Sequence, residues 1–166
     1  MSDKNQFIIT RSLNAPRELV WKVWTEPEHL TKWLSPLGAE LSVSNMDFRV
    51  GGLFHYCMKI PDGSEMWGRW IFREIEPPER LVLIQSFSDS EGGITRHPMS
   101  AVWPLETLST TELGEHDNKT LLTLTWQPLN ATDEEIAMFN SSHDSMNGGW
   151  GGTFSQLETY LENIQK

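Results

Sequence analysis

Along most of the chain hydrophobic positions alternate with polar ones, and the spacing widens to threes and fours in only two regions. Phe7, Ile9 and Leu13 alternate through Gln6 to Leu13, the period-two signature of a half-buried strand. Asn14-Ala15-Pro16 ends it; Pro16 suits a first helical turn, and Leu19, Val20, Val23 and Trp24 follow at helical spacing. Pro27 stops that helix and opens a second short one carrying Leu30, Trp33 and Leu34. After Gly38 come predicted strands over Glu40 to Phe48, Leu53 to Ile60, Met66 to Ile75, Leu81 to Phe87 and Met99 to Leu113. A last strand carries Leu122, Leu124 and Trp126 on one face. Gly51-Gly52, Pro61-Asp62-Gly63, Pro77-Pro78 and Asn118 punctuate them as turns. Pro104, inside the Met99 to Leu113 run, implies an edge position or a bulge.

The second helical region is the C-terminus. Thr132-Asp133-Glu134-Glu135 fits a capping box, and Ile136, Phe139, His143, Met146, Trp150, Phe154, Leu157, Leu161 and Ile164 draw one stripe along a long helix. Seven or eight strands, a helical pair after the first, and a long closing helix make an α+β plan. At 166 residues the chain is expected to form a single domain over residues 1–166.

Charge and composition narrow the partners. A net charge of -10, with 13 Lys+Arg against 23 Asp+Glu, opposes a phosphate backbone, so neither nucleic acid nor an anionic membrane is expected. The opening Met1-Ser2-Asp3-Lys4-Asn5 lacks a basic-then-apolar leader, and Cys57 is the only cysteine; both point to a cytoplasmic protein. Eight tryptophans suit a wall facing a cavity, or simply a core.

Several segments occur together in order: Arg11, Ala15-Pro16-Arg17-Glu18-Leu19-Val20-Trp21, Trp33, Asp47 with Val50-Gly51-Gly52, Asp62-Gly63, Gly68, Glu74 to Leu81, and Gly148-Gly149-Trp150. Together they resemble the AHSA-like branch of the START/SRPBCC superfamily, named for the C-terminal domain of an activator of a heat-shock ATPase. The resemblance covers nearly the whole chain. A narrower similarity to bacterial members covers Gly92 to Met99, Trp103 to Glu106 and His143 to Met146. The resemblance implies a helix-grip fold, in which a curved antiparallel sheet of about seven strands holds the last helix around a deep cavity. Relatives bind lipids, aromatic polyketides and hormones, and some are cyclases.

The expected ligand is a small apolar or aromatic molecule, with Phe54, Tyr56, Met58, Trp70, Trp103, Met146 and Trp150 as wall residues. Trp67 lies on the opposite strand face from Trp70, and which face is inward stays open. His143, on the apolar stripe, is a ligand hydrogen-bonder, a general base or a satisfied core histidine. Arg96 and His97 stand at the expected pocket mouth; Arg96 either reads a ligand carboxylate or pairs with Glu106 or Asp144. Glu106, if turned inward, would form an acid/base couple with His143. That couple would serve a cyclase- or hydrolase-type enzyme, the alternative to a binding protein. A chaperone-ATPase cofactor is a third reading, opposed by the lack of a preceding domain. Gly148, Gly149, Gly151 and Gly152 weaken the last helix, for close packing on sheet or ligand, for a kink, or to let cargo in. The histidines and Cys57 show no metal-ligand spacing, no cofactor is expected, and an exposed edge strand makes a homodimer plausible.

Overall fold

The computed structural model describes residues 6–34, 39–97 and 101–165. Strand β1 (Phe7–Leu13) is followed by helices α1 (Arg17–Thr25) and α2 (Pro27–Trp33), then by β2 (Glu40–Met46), β3 (Leu53–Lys59), β4 (Glu65–Glu76) and β5 (Arg80–Ser88). A two-residue β6 (Ile94–Thr95) precedes the long hairpin of β7 (Glu106–His116) and β8 (Lys119–Leu129), and α3 (Asp133–Ser141) and α4 (His143–Ile164) close the chain. The strands pair antiparallel in the order β1-β8-β7-β5-β4-β3-β2, with β6 on β5. This is the helix-grip architecture, an open sheet held around a C-terminal helix.

The turn chemistry predicted from the sequence is present. Gly63 takes a positive φ of 94° and donates its N–H to the Ile60 carbonyl. At Gly52 a Cβ would stand 1.9 Å from the Asp47 carbonyl oxygen, so only glycine lets the chain double back there. Asp117 and Asn118 both have positive φ, the two-residue hairpin geometry joining β7 to β8.

Two expectations are corrected. Pro104 lies ahead of β7 rather than inside a strand; pairing starts at Glu106 and runs to His116. The stub β6, too short to show alternation, is an additional strand paired with the end of β5. The C-terminal stripe, read as one helix, is two. The capping box forms as predicted, with the Glu135 N–H on the Thr132 hydroxyl at 3.1 Å and the Thr132 N–H on Glu135 Oε1 at 2.9 Å. At the far end of α3, however, the Ser141 and Ser142 hydroxyls donate back to the Met138 carbonyl, at 3.0 and 2.8 Å. Such side chains compete with the helical ladder, and Ser142, at φ -100° and ψ 5°, breaks it. Gly38 and the Pro98-Met99 start of the expected Met99 strand lie outside the described residues, as do Met1 to Asn5.

The core fills one half of the grip. Phe154, Leu157 and Leu161 of α4 are fully or almost fully buried with Leu13, Leu122 and Leu124 of the sheet and Val20, Val23 and Trp24 of α1. Trp24 and Trp33 pack ring on ring at 4.7 Å, and Trp33 donates its indole N–H to the Val23 carbonyl. Towards the N-terminus of α4, Met146 packs in a second, smaller core with Phe7 of β1 and Phe139 of α3, and beside it the helix leaves a space over the sheet.

Candidate functional site

Strand register decides which side chains look into the space under α4. Tyr56 pairs with Gly68 and Gly68 with Phe87, while Trp70 pairs with Gln85 and Gln85 with Thr107, so these residues form two adjacent rows across β3, β4, β5 and β7 on the face towards the helix. Trp126 of β8 extends the wall. From the α3–α4 junction and α4, Ser142, Ser145, Gly149 and Thr153 line the space, with Met146 and Trp150 beside them. Together they enclose a cleft of about 590 Å³. An inner chamber of about 280 Å³ shares Tyr56, Met58, Gln85, His97, Trp103 and Trp126 with the cleft and is bottomed by Gly68, Phe87 and Thr107. Four tryptophans (Trp70, Trp103, Trp126 and Trp150) wall the cleft.

No Asp, Glu, Lys or Arg lines either space among the described residues. The polar groups are neutral. Burial pushes the Tyr56 phenol up to about 12, although the Trp70 and Gln85 side chains at its hydroxyl oppose the rise. Burial lowers the His97 imidazole below its usual value, so it is uncharged at neutral pH. His97 is held between Phe87 and Trp103, its ring 4.6 and 6.0 Å from theirs. The indole Nε1 atoms of Trp70 and Trp126 are buried without a hydrogen-bond partner among the described residues; the Trp70 N–H stands beside the Tyr56 hydroxyl too loosely to bond it fully. Gly68 sets the position of that hydroxyl, since a Cβ there would lie 2.5 Å from the Tyr56 oxygen.

Of the residues singled out in the sequence, Tyr56, Met58, Trp70, His97, Trp103, Met146 and Trp150 come together around this cleft. Phe54 does not reach it. It is fully buried behind the wall, stacked on Tyr56 at 5.0 Å and edge-on to Trp70 at 4.8 Å. Trp67 stacks on His55 at the other sheet face and borders the inner chamber, not the outer cleft. Arg96 does not line the cleft, and its partners are neither Glu106 nor Asp144: its guanidinium is taken by the Glu135 carboxylate and the Trp103 carbonyl, which ties the loop before β7 to the start of α3. Hydrogen bonding to the Thr132 amide, then to Arg96, holds the Glu135 carboxyl below its usual range.

The acid/base couple is absent. Thr107, not Glu106, faces the cleft, and the alternation of β7 sends Glu106 to the opposite side. His143 follows the helix break and lies between Phe7 and Phe139, 5.5 and 5.6 Å ring to ring, away from the lining. The helix phase set by Ser142 gives the cleft positions to 142, 145, 149 and 153 instead. Gln85, Thr107 and Trp126, whose roles depend on pairing between distant strands, carried no local signal of their own. No group of metal-ligating side chains assembles among the described residues.

The glycines of α4 do not break the helix, which runs from His143 to Ile164. Nor do they serve close packing on the sheet: a Cβ at Gly148, Gly149 or Gly152 would meet nothing within 4 Å. Gly148, Gly149 and Gly152 also line a groove of about 770 Å³ between α4 and α2, whose other residues, such as Lys32, Gln156 and Asn163, are mostly polar.

The family described as Activator of Hsp90 ATPase homolog 1-like protein matches residues 14–162. A solution structure from Arthrobacter aurescens superposes with a TM-score of 0.80 at 26% identity, over 98% of this chain and 89% of that one. A crystal structure from Nitrosomonas europaea gives 0.74 at 25% identity, over 99% and 98%. One from Mycobacterium smegmatis gives 0.77 at 23%, over 97% and 93%, a likeness of fold. No protein with a curated description matches the chain.

Proposed function

The chain belongs to the Activator of Hsp90 ATPase homolog 1-like family of the START/SRPBCC superfamily, whose fold is generally a ligand-binding one, and from that premise we propose that it binds a small apolar or aromatic molecule in the cleft beneath α4. The observation that carries this reading is the incomplete packing under Ser142 to Thr153. A space of about 590 Å³ walled by four tryptophans falls within the range of small-molecule sites, about 300 to 1,000 Å³. Aromatic walls bind planar ligands through large contact area and ring geometry. A binding role is favoured over catalysis because the cleft holds no carboxylate and neither His143 nor Glu106 reaches it. The single, buried Cys57 fits a reducing compartment, and the reading places the protein in the cytoplasm.

The test is a thermal-shift screen of planar aromatics at high concentration. Ligands of the native state raise the melting temperature by mass action and quench the cleft tryptophans. A diverse set producing neither effect would falsify the reading.

A further inference from the structure

Resting on the reading of the cleft as a ligand site, we infer that the inner chamber takes an uncharged aromatic ring carrying a hydroxyl or carbonyl oxygen, with that oxygen bound by the Tyr56 hydroxyl and the Gln85 side-chain amide.

Size sets the ring. A cavity of about 150 Å³ holds benzene, so about 280 Å³ accommodates one or two fused rings while any substituent extends into the outer cleft. Charge sets the neutrality. A carboxylate placed here would lose its hydration with no cation among the lining residues, and Arg96 is committed to Glu135 and the Trp103 carbonyl. The oxygen follows from Gln85. It sits inward on the central strand β5, in the row of Leu81, Leu83 and Phe87, where an apolar residue would complete the core. Gln85 is half-buried, and its amide, facing the chamber, presents two donor hydrogens and an acceptor oxygen to whatever occupies it. The Tyr56 hydroxyl beside it can meet only part of that demand, because one phenol offers one hydrogen. The Thr107 hydroxyl does not help, since it donates to the Gln85 backbone carbonyl at 3.3 Å. The orphaned Trp126 indole N–H adds a further donor on the chamber wall. Gly68 shows that the phenol is placed there by the backbone: any side chain at that position would displace it. The burial that holds the phenol neutral keeps its hydrogen available to an acceptor.

The experiment uses the full chain and three probes of one shape, naphthalene, 2-naphthol and 2-naphthoate, titrated by tryptophan quenching and calorimetry at pH 7. The expected order is 2-naphthol about tenfold tighter than naphthalene, the worth of one buried hydrogen bond, with 2-naphthoate weakest. In Gln85→Leu and in Tyr56→Phe, which retain the packing volume, the advantage of 2-naphthol shrinks while naphthalene binds as before. Equal binding of 2-naphthol and naphthalene, an advantage surviving in both variants, or 2-naphthoate binding tightest overturns the inference and leaves the receptor reading standing. Binding of none of the three removes both. The wild-type ranking decides the matter even if a variant fails to fold.

Discussion

At the scale of single residues, glycines make the sharpest predictions, because their two uses separate. Gly68 is required by a neighbour. Gly68→Ala forces a methyl into the Tyr56 phenol and is expected to lower stability by about 1 to 3 kcal/mol, measured by urea unfolding. Gly148 and Gly152 are required by nothing within 4 Å, so Gly148→Ala or Gly152→Ala should stabilise α4 by up to about 1 kcal/mol. Gly149→Ala should bring the same gain, yet its new methyl projects into the cleft, so ligand binding weakens as the melting temperature rises. Stabilisation without loss of binding would show that the ligand does not lie against this helix. The residue-level reading of the sequence succeeded where type and spacing alone carried the signal, as at Tyr56, Trp70 and Trp150. It failed at His143, whose place on the apolar stripe was right but whose direction depended on a helix break marked by two serine hydroxyl bonds and invisible to periodicity.

At the scale of elements, the junction of α3 with the loop before β7 is the part that responds to pH. Glu135 closes the capping box with one carboxylate oxygen and receives Arg96 on the other. Its carboxyl is held below the usual range, so its contribution to stability is complete above the ordinary carboxylate range and is lost as pH falls through the lowered value. Glu135→Gln should therefore melt lower than the wild type at pH 7, by an amount of the order of 1 kcal/mol, and the gap should close in acid. A gap independent of pH between 7 and 3 would assign the loss to packing. Elements were the most legible level of the sequence: strands, turns and the capping box follow from period-two patterns and from Gly, Pro and Asn at fixed positions. Pro104 and Ser142 mark where that legibility ended, since a proline can end a strand as readily as bulge it, and a serine pair can break a helix while leaving its stripe intact.

For the whole molecule, the C-terminal half of α4 is packed in the main core, while its N-terminal half packs through Met146 on Phe7 and Phe139 and also borders the cleft. Phe154, Leu157 and Leu161 anchor the helix in the core, whereas Ser142 to Thr153 bridge the cleft. A saturating ligand in the cleft adds to stability by mass action. At a hundred times its dissociation constant it contributes about 2.7 kcal/mol, a rise of about 5 to 10 °C for a chain of this length. The grip itself could be read from the sequence through its resemblance, but the adjacent rows Tyr56-Gly68-Phe87 and Trp70-Gln85-Thr107 could not, because they join four strands whose register only the folded sheet fixes.

The most direct measurement is a backbone amide chemical-shift titration of the full chain with 2-naphthol. The account predicts the largest shifts at Tyr56, Gln85, Thr107 and Gly149, with Lys32 and Tyr160 of the outer groove unmoved. Shifts concentrated on that groove, or none at saturating 2-naphthol, would contradict it.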